Sequence, residues 1–215
     1  MGKNRLYDAK QREYFQGARP DVVALIPEGP NRILELGCGE GKTLVSARML
    51  RKASELIGID IIPRTENHDE LDCYLQGDID ILEIPYPDEY FDVIVCADVL
   101  EHLVDPWQVM KRLASLLRPG GLLIASIPNV RNYLLFVHVY LLGSFAYAQE
   151  GLLDRGHIRF FCKRDMCTLA NGAGLKVKQI HFALHKVRKL FWILSVGLLE
   201  QFLVKQYLIV ASKEQ

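Results

Sequence analysis

The feature that most constrains this chain is a series of short runs, almost unbroken in Val, Ile and Leu, that alternate with stretches of helical spacing. The runs are RILEL (32–36), ELIGID (55–60), CYLQ (73–76), FDVIVCA (91–97) and GLLIASI (121–127), followed late in the chain by LKVKQIHFA (175–183) and QYLIVAS (206–212). A strand wetted on one face alternates polar and apolar residues, whereas a strand covered on both faces can be apolar throughout. Helices are predicted between them at 41–52, 106–117, 132–142, 164–171 and 186–203. The clearest is in VDPWQVMKRLASLLRPGG. There Asp105 can cap, Pro106 sits in the first turn, Trp107, Met110, Leu113, Ala114 and Leu117 recur at three- and four-residue spacing, and Pro119-Gly120-Gly121 stops the helix. The stretch 61–72 carries Pro63 and reads as a loop with at most a short helix. The rhythm predicts a doubly wound α/β sheet. No repeat or low-complexity linker divides the 215 residues, so one domain over 1–215 is predicted.

Lys+Arg and Asp+Glu balance at 26 each, which does not indicate a broad surface for nucleic acid. Five cysteines, at 38, 73, 96, 162 and 167, are odd in number and scattered, as suits reduced thiols in a cytoplasmic protein. Cys162 and Cys167 with His157 lack zinc-ligand spacing. The first ten residues hold no apolar signal-peptide core, and Leu6 stands where myristoylation requires Ser or Thr. Two apolar segments, 132–149 and 190–204, invite a membrane assignment. The first carries no charge but several polar residues; the second contains Glu200 and is too short to span. They are expected to be buried or interface helices, consistent with a homodimer. Lys186, Arg188 and Lys189 just ahead of the second leave peripheral membrane contact open.

Function turns on RILELGCGEGKT, residues 32–43. A phosphate loop for a nucleoside triphosphate needs glycine five residues before its Gly-Lys-Thr. Counting back from Gly41 reaches Leu36, so that loop is excluded. A dinucleotide loop needs G-x-G-x-x-G, whereas Gly37, Gly39 and Gly41 give G-x-G-x-G, so a nicotinamide-dependent (NAD) oxidoreductase is a weaker alternative. S-adenosylmethionine has a positive sulfonium and no phosphate. It wants close backbone approach, from Gly37 and Gly39 with the small Cys38 between them, and carboxylates rather than cations. Glu35 suits the ammonium of its methionine part, Asp60 the ribose hydroxyls, and Asp78 the adenine amino group, with Ile61 and Ile79 on either side of the ring.

With ILELGCGEGKTL, IGID, GDI, FDVIVCADVLEHLVDPWQVMKRLASLLRPGGLLIASIPN and GHIRFFCKRDMCTLANGAGLKV in this order, the chain from Tyr14 onward resembles the class I S-adenosylmethionine-dependent methyltransferases. It is most similar to those of the ubiquinone-biosynthesis type and to those associated with bacterial surface polysaccharides. The resemblance implies a Rossmann-like, seven-stranded, mostly parallel sheet with an antiparallel last strand, an acceptor-side insertion at about 128–162, and contact of Asp98 and Val99 with the methionine end of the cofactor. It implies methyl transfer to oxygen of a small-molecule or glycan-linked acceptor; a non-catalytic S-adenosylmethionine-binding module is a further alternative.

A hydroxyl acceptor calls for a base. His102, after the fourth run, and His157 are the candidates, each with a bland alternative as a cap or loop-fixing residue. Asn129, Arg131 and Arg159 are candidates for the acceptor side. Asp98, Glu101 and His102 match the spacing with which some quinone-type relatives hold a divalent metal, but no metal is expected. Tyr133, Phe136, Tyr140, Phe145 and Tyr147 are expected in helix core or dimer contact ahead of a sugar or ring pocket. His68, His138, His181 and His185 are read as structural.

Overall fold

The computed structural model describes residues 17–184 and 186–214. The readings of the first ten residues, the start of the resemblance at Tyr14 and the reading of His185 lie outside them. Seven strands form one sheet: β1 (Asn31–Leu36), β2 (Ala53–Asp60), β3 (Cys73–Gln76), β4 (Phe91–Ala97), β5 (Leu117–Pro128), β6 (Leu175–His181) and β7 (Gln206–Lys213). Their order is β3-β2-β1-β4-β5-β7-β6. β1 pairs in parallel with both β2 and β4, while β7 runs antiparallel to both β5 and β6. The Rossmann-like, mostly parallel sheet with an antiparallel last strand is therefore the fold.

Alternation along each strand divides the core. Ile33, Leu56, Val93, Val95 and Ile124 pack against Val22, Val23, Leu44 and Ala47 of helices Pro20–Leu25 and Lys42–Met49. Their neighbours Leu34, Leu36, Ile57, Ile59, Ile94 and Cys96 pack on the opposite face, against Val109, Met110 and Leu113 of helix Pro106–Leu116 and Met166, Leu169 and Ala170 of helix Lys163–Gly172. Successive side chains point to opposite faces, so a strand with both faces covered is apolar on both sides along most of its length. Each buried Leu or Ile contributes about 1.5–3 kcal/mol.

Asp105 caps helix Pro106–Leu116 through the Gln108 N–H at 3.0 Å. The helix passes directly into β5 at Leu117, before Pro119. The stretch 61–72 holds one short 3-10 turn, Glu66–Glu70. The predicted helix 186–203 is instead two, Lys186–Leu194 and Glu200–Leu203. Between them Val196 and Gly197 take φ of 52° and 79°, a left-handed geometry that no continuous helix tolerates and that a β-branched residue adopts only under strain. The predicted helix 132–142 is one α turn, Tyr133–Phe136, continued by a π turn, Val137–Leu141. Tyr133, Phe136, Tyr140, Phe145 and Tyr147 are all exposed, which corrects their placement in a helix core. No helix among the described residues is long and apolar enough to cross a membrane.

Candidate functional site

In an open α/β sheet a crevice forms at the carboxyl ends of the strands where the chain order reverses, here between β1 and β4. A cavity of about 630 Å³ lies there. Its wall takes Glu35, Gly37, Cys38 and Gly39 from the end of β1, Asp60 and Ile61 from β2, Asp78 and Ile79 from β3, and Asp98 and Val99 from β4. The structure brings all ten together, along with His102 and His157.

The turn after β1 exists because of its glycines. Gly37 has a φ of 65°, and a Cβ on it would lie 3.1 Å from Val99 Cγ2. Gly41, at 75°, would place one 3.0 Å from Leu71 Cδ1. Only glycine enters that region without steric cost. The amides of this turn are spent inside the protein. Gly37 and Cys38 donate to Ile59 O at 2.8 and 3.2 Å, Gly39 to Asp60 Oδ2 at 2.7 Å, and Gly41 to Cys38 O at 2.8 Å. A pyrophosphate would need such amides pointed outward. Cys38 packs on the bare Cα of Gly58, and its thiol is pushed well up by burial and by the acids Glu35 and Asp60. That leaves a small filler rather than a nucleophile.

The electrostatics follow from burial. Glu35 is 2% exposed, and burial raises its carboxyl to about 8, opposed by a hydrogen bond from Thr43, reinforced by Asp60 and opposed again by Arg19. Its Oε2 has no hydrogen-bond partner among the described residues. Asp60 is also raised by burial, against which it accepts the N–H groups of Gly39, Ile62 and Ile61; its Oδ2 keeps capacity for another donor. Asp98 sits at a φ of 58°, a backbone region Asp tolerates better than most. Its carboxylate is met by Arg19, by Ser126 Oγ at 3.3 Å and by Gln206. Carboxylates dominate the wall: among the described residues Glu35, Asp60, Asp78, Asp98, Glu101, Glu150 and Asp154 face Arg19 and Lys205 as the permanently charged cations.

On the far side, the amides of Ile158 and Arg159 both bond to Glu101 O at 3.0 Å, docking the GHIRFF segment against the turn after β4. His102 Nδ1 is 2.8 Å from Gly156 O and His157 Nδ1 3.3 Å from Leu152 O. A carbonyl only accepts, so both rings carry the proton on Nδ1 and present Nε2 as the basic nitrogen when neutral. The rings meet edge to face at 4.8 Å, and His157 Nε2 lies 3.8 Å from Glu101 Oε1. Among the described residues, Glu101, His102 and His157 bring metal-capable atoms within 4.8 Å of one another. Asp98, which spacing alone grouped with Glu101 and His102, is not part of that cluster.

The three acceptor-side candidates are not brought to the cavity wall. Asn129 is fully buried and gives both amide hydrogens to backbone, Gln201 O at 2.7 Å and Val204 O at 2.8 Å. Arg131 bonds Gln201 Oε1 at 2.7 Å and lies over the Phe202 ring. Arg159 donates to Val104 O and lies over Trp107. Two contributors escaped sequence reasoning. Arg19 reaches the wall from ahead of the first helix, and nothing in its local pattern signals that. His68 is completely buried, stacks on Tyr74 at 3.8 Å, accepts from the Thr65 N–H at 2.8 Å and donates through Nε2 to Gly39 O at 2.7 Å. It pins the glycine turn from outside, a structural duty in keeping with its bland reading.

A family model described as a methyltransferase domain matches residues 7–180. The ubiquinone biosynthesis O-methyltransferase of Aeromonas salmonicida is 29% identical over 167 residues, covering 71% of this chain and 67% of that protein. The protein of the same name from Xanthomonas campestris pv. campestris is 33% identical over 140 residues, covering 59% and 57%. The chain thus spans about two thirds or less of the length of these relatives. Among solved structures, a SAM-dependent methyltransferase from Archaeoglobus fulgidus superposes with a TM-score of 0.65 at 19% identity, covering 99% of this chain and all of that one.

Proposed function

The chain belongs to the methyltransferase domain family, as a class I S-adenosylmethionine-dependent methyltransferase, and from that premise we propose that it methylates oxygen on a small-molecule or glycan-linked acceptor, with the cofactor and acceptor on opposite sides of Asp98. The observation that carries the cofactor assignment is Glu35, a buried acid on the cavity wall with one oxygen still to be satisfied. The donor set fits a cationic ligand. Acids outnumber cations on the wall, Gly37 leaves room that a Cβ would fill, and the turn's amides are already bonded internally rather than aimed at phosphates. In this reading Glu35 and Asp98 hold the methionine end, Asp60 the ribose hydroxyls, and Asp78, Ile61 and Ile79 the adenine, with Gly37, Cys38, Gly39 and Val99 shaping the floor.

When bound, the cofactor supplies a methyl group already activated by positive sulfur, so the chain's own task is positioning and proton management. Oxygen is supported by the histidine pair and by the names of the two O-methyltransferase relatives. His102 and His157, each held at Nδ1 by a backbone carbonyl, are the groups we assign to the acceptor proton, and Glu101 steadies the charge that His157 gains on taking it. In the same reading the chain is a single unit over 1–215 with residues of about 128–162 facing the acceptor, which Leu134, Leu152, Asp154 and His157 on the cavity wall favour.

Calorimetry with S-adenosylmethionine, S-adenosylhomocysteine and NAD tests the cofactor; tighter binding of NAD overturns it. Labelled-methyl transfer to panels of phenols, sugar hydroxyls and amines tests the atom, and transfer to amines alone overturns the oxygen assignment. His102→Ala and His157→Ala are expected to lower turnover at least tenfold with cofactor affinity intact. Peripheral membrane contact is supported by exposed Leu190, Phe191, Ile193 and Leu194 beside exposed Lys186 and Lys189. Pelleting with anionic vesicles checks it, and light scattering reports whether the same face instead joins two copies as a homodimer.

A further inference from the structure

His102 lies in the short turn after β4, yet its ring is oriented by a group 54 residues away. That group is the Gly156 carbonyl, which accepts from Nδ1 at 2.8 Å. Gly156 is held in turn from its other side, where its N–H donates to Asp154 Oδ1 at 2.6 Å. A Cβ on Gly156 would lie 3.0 Å from Nδ1 and Cε1 of His102 and 3.1 Å from Asp154 Oδ1. The bare glycine is therefore clasped between the imidazole and the carboxyl. A short acid that accepts the N–H two residues ahead closes a turn of its own, and here that turn decides where the Gly156 carbonyl points. Turn-forming acids normally stay at the surface, where they keep their hydration. Asp154 is 3% exposed and sits on the cavity wall. Its backbone is tied in as well: its amide donates to Gly151 O and its carbonyl accepts from the His157 N–H, both at 3.0 Å.

We propose that Asp154 is a positioning residue for the acceptor side: through Gly156, its carboxyl sets the plane and the tautomer of His102. This deepens the assignment of His102 to the acceptor proton and rests on it. A carbonyl only accepts, so a correctly aimed Gly156 O keeps the ring proton on Nδ1. Proton transfer is sensitive to the placement of the ring, and a displacement of about 1 Å is costly. The backbone bonds of Asp154 survive a change of side chain, so substitution isolates the bond from Oδ1 to Gly156. The aim of that oxygen does the positioning, and Asn, which keeps the oxygen and carries no charge, can replace Asp.

Ring-nitrogen NMR of wild type and Asp154→Ala, where the imidazole is neutral, reads the tautomer directly, with the His102 signals identified by their loss in His102→Ala. Wild type is expected to carry the His102 proton on Nδ1 and Asp154→Ala to share it with Nε2; an unchanged tautomer overturns the proposal. Labelled-methyl transfer to the phenol or sugar hydroxyl that wild type methylates fastest reads the consequence. Asp154→Ala is expected to lose about tenfold in kcat, with acceptor KM and S-adenosylhomocysteine affinity within about twofold of wild type. Asp154→Asn is expected to stay within about threefold of wild type in kcat; an Asn variant as slow as the Ala variant overturns the role of aim. In a His102→Ala background, Asp154→Ala is expected to cost less than about twofold more, because it acts through that ring. A further loss of about tenfold there shows an independent role and also overturns it. Should Asp154→Ala fail to fold, Asp154→Glu carries the test. It keeps the charge but moves the oxygen by a methylene, and the same loss of kcat is expected; full kcat overturns the proposal. If His102→Ala keeps full turnover, the proton assignment falls and this inference with it. If His102→Ala is slow while Asp154→Ala is not, this inference alone falls.

Discussion

Replacing Glu35 by Gln keeps the side chain's shape and removes its proton equilibrium. Burial carries this carboxyl from an ordinary 4.5 to about 8. The unfolded chain gives up the proton near 4.5 and the folded chain only near 8. Between those values the native state holds a proton the unfolded state lacks, so stability falls as pH rises. At about 1.4 kcal/mol per pH unit, wild type loses roughly 4–5 kcal/mol from this group across the window, an order-of-magnitude figure. Glu35→Gln is spared the loss. It is expected to match wild type near pH 5 and to exceed it by about 2–4 kcal/mol at pH 8.5, read from urea denaturation. Ligand binding shows the converse. At pH 7 roughly nine tenths of the ligand-free protein carries the neutral acid, so capturing a cation must expel about one proton and weakens affinity about tenfold relative to pH 8.5. Calorimetry with S-adenosylhomocysteine in two buffers of different ionisation enthalpy counts that proton. Asp60 and Asp98 are also raised by burial, so the quantity that isolates Glu35 is wild type minus Glu35→Gln. Parallel stability curves, or equal proton release from both proteins, would refute the reasoning.

Removing the pin behind the glycine turn, His68→Ala, is expected to destabilise the protein by about 2–4 kcal/mol and to weaken S-adenosylhomocysteine binding, because Gly39 O and the Thr65 N–H lose their partners; denaturation and calorimetry report the two effects. Gly156→Ala would place a Cβ 3.0 Å from Nδ1 and Cε1 of His102. Turnover should fall at least tenfold as that ring is displaced, with cofactor affinity within about twofold of wild type; unchanged turnover shows that the position of His102 is immaterial. Asn129→Ala should cost about 2 kcal/mol by orphaning Gln201 O and Val204 O, while the acceptor KM of the folded enzyme stays the same. A raised KM with stability unchanged would return Asn129 to the acceptor side.

The sequence by itself determined the sheet and the acid set. Strands buried on both faces are apolar almost throughout, so RILEL and FDVIVCA could be little else, and acids at the carboxyl ends of successive strands converge at one edge because parallel strands end together. Glu35, Asp60, Asp78 and Asp98 were legible for that reason. The acceptor side was not. Asn129, Arg131 and Arg159 have the residue types of a binding site, yet tertiary packing gave their hydrogen bonds to Gln201, Val204 and Val104. Arg19, Gly156 and His68 carry no local signal, because each acts through a partner 79, 54 or 29 residues away. Local pattern fixes which face a residue shows to the core. Which distant group then satisfies its donors and charges is decided only when the chain closes on itself.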